Sequence, residues 1–335
     1  MSTPPVIEVR NVSKHFTRRL DLLKRAARRL GAKVKQRVVR AVDDVTLVVH
    51  EGEAVGLVGE SGCGKSTLGR IVAGIDTPTT GEVLFRGDRL IPDGGAVARR
   101  AALNVQMIFQ DPLDSLNPRH RMGRIVGEGA SYHRVVEPGD LDQHVDKVLG
   151  QVGLDPSMKP RFPHQFSGGQ RQRIGIARAL AVNPEVIVCD ESVASLDVSI
   201  QAQIINLFMR LRHDLGLAYL FISHDIGVVR HIADRVVVMY LGRIVEEGPM
   251  RALFDDPNHP YTQALLREVP RLDNRRVQFN TIVGEIPSPL DPPSGCHFHP
   301  RCPHAMERCR VETPRLREID TGHRSACHLN DVSPS

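Results

Sequence analysis

The sequence predicts an α/β fold organised round a mostly parallel sheet, with a small cysteine-bearing segment after it. Three observations carry that expectation. Val55-Gly56-Leu57-Val58 is an apolar strand that enters Gly59-Glu60-Ser61-Gly62-Cys63-Gly64-Lys65-Ser66-Thr67-Leu68, a glycine-rich turn opening a helix. The apolar strand runs that follow alternate with helical stretches, as βαβ units require. Composition then changes after about Pro270, where a proline-rich loop, Ile286 to Gly295, precedes Cys296, Cys302, Cys309 and Cys327.

At 335 residues the chain exceeds one typical domain, so a principal domain with an appendage is expected. Apolar content of 41% and charged content of 25% are those of a globular protein. No stretch reaches the ~18 consecutive apolar residues of a membrane span. Met-Ser-Thr-Pro-Pro lacks the charged and apolar regions of a secretory signal, so the cytosol is the expected compartment. A net charge of +5 is too mild to imply nucleic acid. Cys63 and Cys189 read as small buried hydrophobes. The four clustered cysteines, in a reducing compartment, point to a metal before disulfides.

Taken in order, Val6 to Val12 alternates as a strand. Arg18 to Arg40 carries ten Lys/Arg and one acid, Asp21, with Leu23, Ala27, Leu30 and Val34 at helical spacing. A short basic amphipathic helix is expected there; its small apolar face favours a solvated insertion over contact with an anionic membrane. Val38 to Val49 reads as a hairpin arm, and Glu51-Gly52-Glu53 turns into the Val55 strand. Gly81 to Phe85 is an antiparallel strand, and Val105 to Gln110 an apolar strand ending in an amide. From Asp111 to about Phe166 the pattern is helical and loop-rich, with Val145, Val148, Leu149 and Val152 on one face. A helix follows Ser167 and runs to about Ala181. Strands at Glu185–Cys189 and Tyr219–Asp225 flank a helix over Ile200–Leu215, and Val236–Tyr240 and Arg243–Glu246 are further strands. Each motif occurs once, so no internal duplication is expected.

Gly59 to Ser66 fits G-x-x-x-x-G-K-[ST], a loop that cradles phosphate. Glycines let successive N–H groups converge on an anion without Cβ clashes, and the helix N-terminus adds the positive end of its dipole. Gly59, Glu60, Ser61, Gly62, Cys63, Gly64, Lys65, Ser66 and Thr67 are therefore candidate nucleotide-binding residues. Lys65 would reach the β- and γ-phosphates and Ser66 would ligate Mg²⁺. Asp190 and Glu191 end an apolar strand, where ligands meet an α/β sheet. Adjacent strand residues face opposite ways, so the two acids take different tasks. Asp190 suits Mg²⁺, and Glu191 suits a general base polarising water. His224, at another strand end, suits the γ-phosphate and the attacking water, while Gln110 suits Mg²⁺ or water. Ser167, Gly168, Gly169 and Gln170 open a helix as a second anion site. That helix is expected to cap a γ-phosphate held by another subunit, because it is not expected to fold back onto the chain's own loop.

Phe166-Ser167-Gly168-Gly169-Gln170-Arg171-Gln172-Arg173 resembles the signature of ATP-binding-cassette (ABC) ATPases. Gln110, Asp190-Glu191, Ala194-Ser195-Leu196-Asp197 and His224 fall where that family has its Q-loop, Walker B pair, D-loop and switch histidine, and Phe16 matches its adenine-stacking aromatic. The resemblance covers about residues 5–268. It implies a RecA-like P-loop core with an antiparallel β subdomain and a helical subdomain at about 111–182, within an ATPase domain of residues 1–268. Gln106 to Arg119, Asp197 to Gln203 and Tyr261-Thr262-Gln263-Ala264-Leu265-Leu266 look like the dipeptide/oligopeptide importer branch. That resemblance implies ATP and Mg²⁺, a second ABC ATPase subunit, two membrane permease subunits on whose cytoplasmic face the ATPase sits, and an extracytoplasmic peptide-binding protein. Nickel and glutathione importers share the branch, and a soluble, non-transporting cassette ATPase is the rival from another class. Two departures stand out: Ser192 replaces the usual proline after Glu191, and Ala194-Ser195 inverts the usual Ser-Ala.

The cysteines are spaced C-x5-C-x6-C-x17-C. Four thiolates can bind Zn²⁺ or an iron–sulfur cluster, and His297, His299, His304, His323 and His328 are further zinc ligands. The alternative is four reduced thiols in a docking segment. The segment, residues 269–335, resembles the C-terminal extension of the importer branch, in some members of which a [4Fe–4S] cluster occurs; that resemblance implies such a cluster on Cys296, Cys302, Cys309 and Cys327.

Overall fold

The computed structural model describes residues 4–17, 38–90, 103–110, 116–194, 196–267 and 284–331. The basic helix expected after Arg18 lies outside them, except that Val38 to Arg40 are strand and not helix. Asp111 and Ser195 also lie outside the described residues.

The N-terminal part forms an antiparallel sheet of order β2-β1-β4-β5, with β1 (Pro5–Thr17), β2 (Val38–His50), β4 (Thr80–Phe85) and β5 (Asp88–Arg89). β1 outlasts the alternation that predicts it because pairing continues to Thr17↔Val38, carried past register shifts such as that between Val12 and Lys14. Shifts of this kind re-aim side chains without ending the ladder.

The second sheet runs β11-β12-β10-β9-β3-β8-β7-β6. Its parallel part joins β6 (Val105–Ile108), β7 (Val186–Asp190), β8 (Ala218–Ser223), β3 (Ala54–Val58) and β9 (Arg235–Tyr240). Every residue of β3, β7 and β8 is buried, which is why these strands read as continuous apolar runs and not as alternations. One face of the sheet packs on α1 (Lys65–Val72) and the antiparallel sheet, through Leu57, Leu68, Ile71, Val188 and Ile222. The other packs on α2 (Met122–Tyr132), α3 (Leu141–Gln151), α4 (Gly168–Leu180), α5 (Val198–Leu215) and α6 (Ile226–Ile232), through Phe208, Tyr219, Phe221 and Val229. Each such fully buried large side chain contributes roughly 1.5–3 kcal/mol of transfer free energy, so the strand ends are held on a stiff platform.

The C-terminal segment joins this platform. Beyond β10 (Arg243–Pro249) come α7 (Met250–Asp255) and α8 (Pro260–Arg267), and after Gly284 the short α9 (Glu307–Val311), β11 (Arg317–Asp320) and β12 (His323–Ser325). β12 pairs antiparallel with β10 through Glu246↔Ser325, covering what would otherwise be an open edge. Phe298 is buried in the helical-side core, and Cys296 and Cys302 pack against it. The main core thus supplies packing for Cys296 and Cys302.

Candidate functional site

The loop between β3 and α1 sits at the C-terminal end of the central strand. Gly59 and Gly64 adopt φ of 151° and 110°, and a Cβ there would meet Met239 O at 2.1 Å and Ala41 O at 2.0 Å. Only glycine fits both positions. Lys65 is 4% exposed, and its ammonium donates to Gly59 O at 2.7 Å and Glu60 O at 3.0 Å. Its further partner among the described residues is the Cys63 sulfur at 3.9 Å, so a buried cation is held by neutral groups. Such a charge fits an anion delivered to the loop. Cys63 is buried beside it; burial pushes its thiol pKa up and the Lys65 charge opposes that rise.

The ends of the neighbouring strands converge on the same loop. Ser66 Oγ donates to Asp190 Oδ1 at 2.8 Å, bringing together an alcohol and a carboxylate suited to a hard cation such as Mg²⁺. Burial raises the Asp190 pKa, with the Ser66 hydrogen bond opposing. Glu191 turns out of β7 with φ 46°, a strained left-handed conformation for a non-glycine residue. Its side chain is 14% exposed and fastened at both oxygens: Gln110 Nε2 donates to Oε2 at 2.8 Å, and His224 Nδ1 lies 3.1 Å from Oε1. The amide, the carboxylate and the imidazole come from the ends of three adjacent strands, β6, β7 and β8. A carboxylate so oriented, with an imidazole at hand, can accept a proton from water.

Two expected groups stand apart from that cluster. Phe16 is 44% exposed on β1 with the Lys14 ammonium 5.3 Å from its ring centroid, an open aromatic platform. Ser167 caps α4: its Oγ accepts from Gln170 N at 3.3 Å while Gln170 Oε1 accepts from Ser167 N at 3.0 Å. The capping box satisfies those two donors and leaves the first turn of Gly168 and Gly169 as a helix N-terminus.

Sequence reasoning missed a set of residues behind the loop. The Glu60 N–H donates to Tyr261 Oη at 2.8 Å, and both Glu60 carboxylate oxygens accept from Arg301. Tyr261 lies in the Tyr-Thr-Gln-Ala-Leu-Leu run and Arg301 directly before Cys302, which are the signals that mark them. The four C-terminal thiols lie within electrostatic reach of one another. Burial first, and then its thiol neighbours, push Cys327 and Cys296 up to about 11 each, and burial raises Cys302 as well. Backbone N–H groups oppose these shifts at Cys296, Cys302 and Cys327, and Met306 N donates to Cys309 Sγ at 3.5 Å. Among the described residues no three His, Cys, Asp or Glu side chains lie close enough together, in this conformation, to hold one metal ion.

Residues 42–194 match the family described as ABC transporter, and residues 245–309 match the family described as oligopeptide/dipeptide transporter, C-terminal region. The chain is 48% identical over 328 residues to the oligopeptide transport ATP-binding protein AppF of Bacillus subtilis, covering 97% of each chain. It is 45% identical over 298 residues to the dipeptide transport ATP-binding protein DppF of Haemophilus influenzae, covering 89% of this chain and 91% of that one. Among solved structures, a bacterial ABC transporter cassette in dimeric form superposes with a TM-score of 0.61 at 26% identity, over 73% of this chain and 99% of the cassette. A post-hydrolysis cassette dimer bound to ADP and Pi gives 0.60 at 26% identity, with the same coverage.

Proposed function

The chain belongs to the ABC ATPases of the oligopeptide/dipeptide transporter branch, and from that premise we propose that it energises uptake of dipeptides or oligopeptides across the cell membrane. It is an ATPase. The observation that carries the reading is the convergence of Lys65, the Ser66–Asp190 pair and the Gln110–Glu191–His224 cluster on one loop.

In this reading Gly59 to Thr67 hold the ATP phosphates, Lys65 binds the β- and γ-phosphates, and Phe16 stacks on adenine. Ser66, Asp190 and Gln110 hold Mg²⁺, which when bound neutralises charge on the phosphate oxygens. Glu191 accepts the proton of the attacking water, and His224 holds that water and the γ-phosphate in line. Ser167, Gly168, Gly169 and Gln170 cap the nucleotide of a second ATPase subunit, so each site draws on two chains. The dimeric form of the similar cassette supports that division. Residues 1–268 are the ATPase unit, with the helical subdomain at about 111–182, and residues 269–335 the extension. The chain works on the cytoplasmic face of the membrane with two permease subunits and, through them, an extracytoplasmic peptide-binding protein. No helix among the described residues is itself long and apolar enough to cross a membrane.

Cys296, Cys302, Cys309 and Cys327 are the candidate holders of a [4Fe–4S] cluster, with Zn²⁺ as the alternative. Support comes from four thiols within electrostatic reach of one another, with backbone N–H groups opposing the rise that burial imposes at Cys296, Cys302 and Cys327. The side chains must draw closer than they lie here to share a metal. Iron content and a broad absorption near roughly 400 nm test this; an anaerobic preparation free of iron and zinc contradicts it. The transport reading is tested by copurifying the chain with its membrane subunits and measuring ATPase activity with and without added peptide. Stimulation by peptide is expected; activity indifferent to peptide in an intact complex contradicts peptide import.

A further inference from the structure

Glu60, second residue of the phosphate loop, is tied at three points. Its N–H donates to Tyr261 Oη at 2.8 Å, its carbonyl accepts from Lys65 Nζ at 3.0 Å, and its carboxylate takes both arms of Arg301, Nη1 at 2.8 Å and Nη2 at 2.9 Å. The Arg301 side chain is 4% exposed and that of Glu60 17%. A guanidinium withdrawn from water in this way needs its counter-charge, and a two-armed fork fixes the carboxylate in angle as well as distance. Arg301 ends the short turn His299–Arg301, next to Cys302, and is itself seated by rings. Its Nη1 donates to Tyr240 Oη at 3.4 Å, and Tyr240, Tyr261 and Phe298 pack mutually with centroids 4.6–5.3 Å apart.

A docking contact that only fastened the C-terminal segment could grip any strand or helix. This one grips the loop itself, at the residue whose carbonyl orients the Lys65 ammonium. We propose that Arg301 is a positioning residue for nucleotide binding. Through Glu60 it fixes one of the two carbonyls that hold the Lys65 ammonium, so the C-terminal segment sets the ATP affinity of a loop more than 200 residues earlier in the chain (a separation of 241 residues). The inference rests on the reading of this loop as the ATP site.

The test is calorimetric titration of the full chain with Mg·ATP, together with hydrogen exchange at the loop amides. Arg301→Leu is expected to weaken ATP binding about tenfold, equivalent to ~1.4 kcal/mol, and to speed exchange over Gly62–Ser66. Glu60→Ala is expected to lose a similar factor, and the double variant no more than the worse single one, because both act through one contact. Arg301→Lys keeps the charge but not the fork; it is expected to lose about two- to fivefold, and it decides the matter if Arg301→Leu does not fold. Wild-type affinity and exchange in the folded Arg301 variants would overturn the inference alone, as would additive losses in the double variant. Failure of the wild-type chain to bind ATP overturns the ATP-site reading, and this inference with it.

Discussion

Two regions of the chain meet the same loop at different residues, one at Ser66 and the other at Glu60, and they differ in how they are built. At the sheet edge, Asp190, Glu191, His224 and Gln110 come from the ends of adjacent parallel strands, fully buried for β7 and β8 and largely so for β6. Behind the loop, Tyr261 and Arg301 come from a helix and a short turn, and they act through long side chains seated on an aromatic cluster. On the proposed reading the sheet edge supplies groups for reaction and the rear supplies geometry. Damage to the first should therefore appear in turnover, and damage to the second in affinity.

The largest effect is expected at Glu191. Glu191→Gln keeps the Gln110 and His224 contacts open to an amide but removes the base, so turnover should fall by about 10²–10⁴-fold with ATP binding retained. Phosphate release against ATP occupancy checks it. Next comes Lys65→Ala, which removes the charge-assisted contacts proposed to the phosphates. A loss of about 10- to 100-fold in ATP affinity is expected, measured by titration, consistent with the worth of hydrogen bonds from charged groups. An unchanged affinity would take Lys65 out of phosphate binding.

A smaller effect concerns the rear region and pH. His259 is 1% exposed and accepts a hydrogen bond at Nδ1 from Tyr261 N, so burial pushes its pKa down to about 4. An unfolded chain takes up that proton near pH 6.5 while the folded one does not. Stability is therefore whole above about pH 6.5 and falls as pH drops toward 4, by ~2 kcal/mol at pH 5. Thermal melts at pH 7 and pH 5 should register the loss, and His259→Gln should flatten it; equal slopes in both proteins would remove His259 as the cause.

Much of the sheet edge was legible in the sequence. Val186-Ile187-Val188-Cys189 and Tyr219-Leu220-Phe221-Ile222 are continuous apolar runs because both faces of a parallel sheet are covered, and the residues ending such runs must emerge at its rim. The rear region was not legible. Glu60 and Arg301 are 241 residues apart, and no local period links them. The joining of β12 to β10 escaped for a similar reason: His323-Arg324-Ser325 has no apolar alternation, since the strand is short and covers an edge. Glu246 explains how so polar a strand is tolerated. It is fully buried, yet accepts from Asn258 N at 2.7 Å and His259 N at 3.0 Å and lies 2.8 Å from His323 Nε2. Long-range polar matches of this kind leave no trace in a single sequence.

The central claim is that reaction and geometry are divided between the two regions that meet the loop. ATP titration and steady-state phosphate release on Glu191→Gln and Arg301→Leu, made in parallel in the assembled complex, test it most directly. The account predicts opposite splits: kcat lost with affinity kept for Glu191→Gln, and affinity lost with kcat within about threefold for Arg301→Leu. Near-normal turnover in Glu191→Gln, or both variants losing the same parameter, would contradict it.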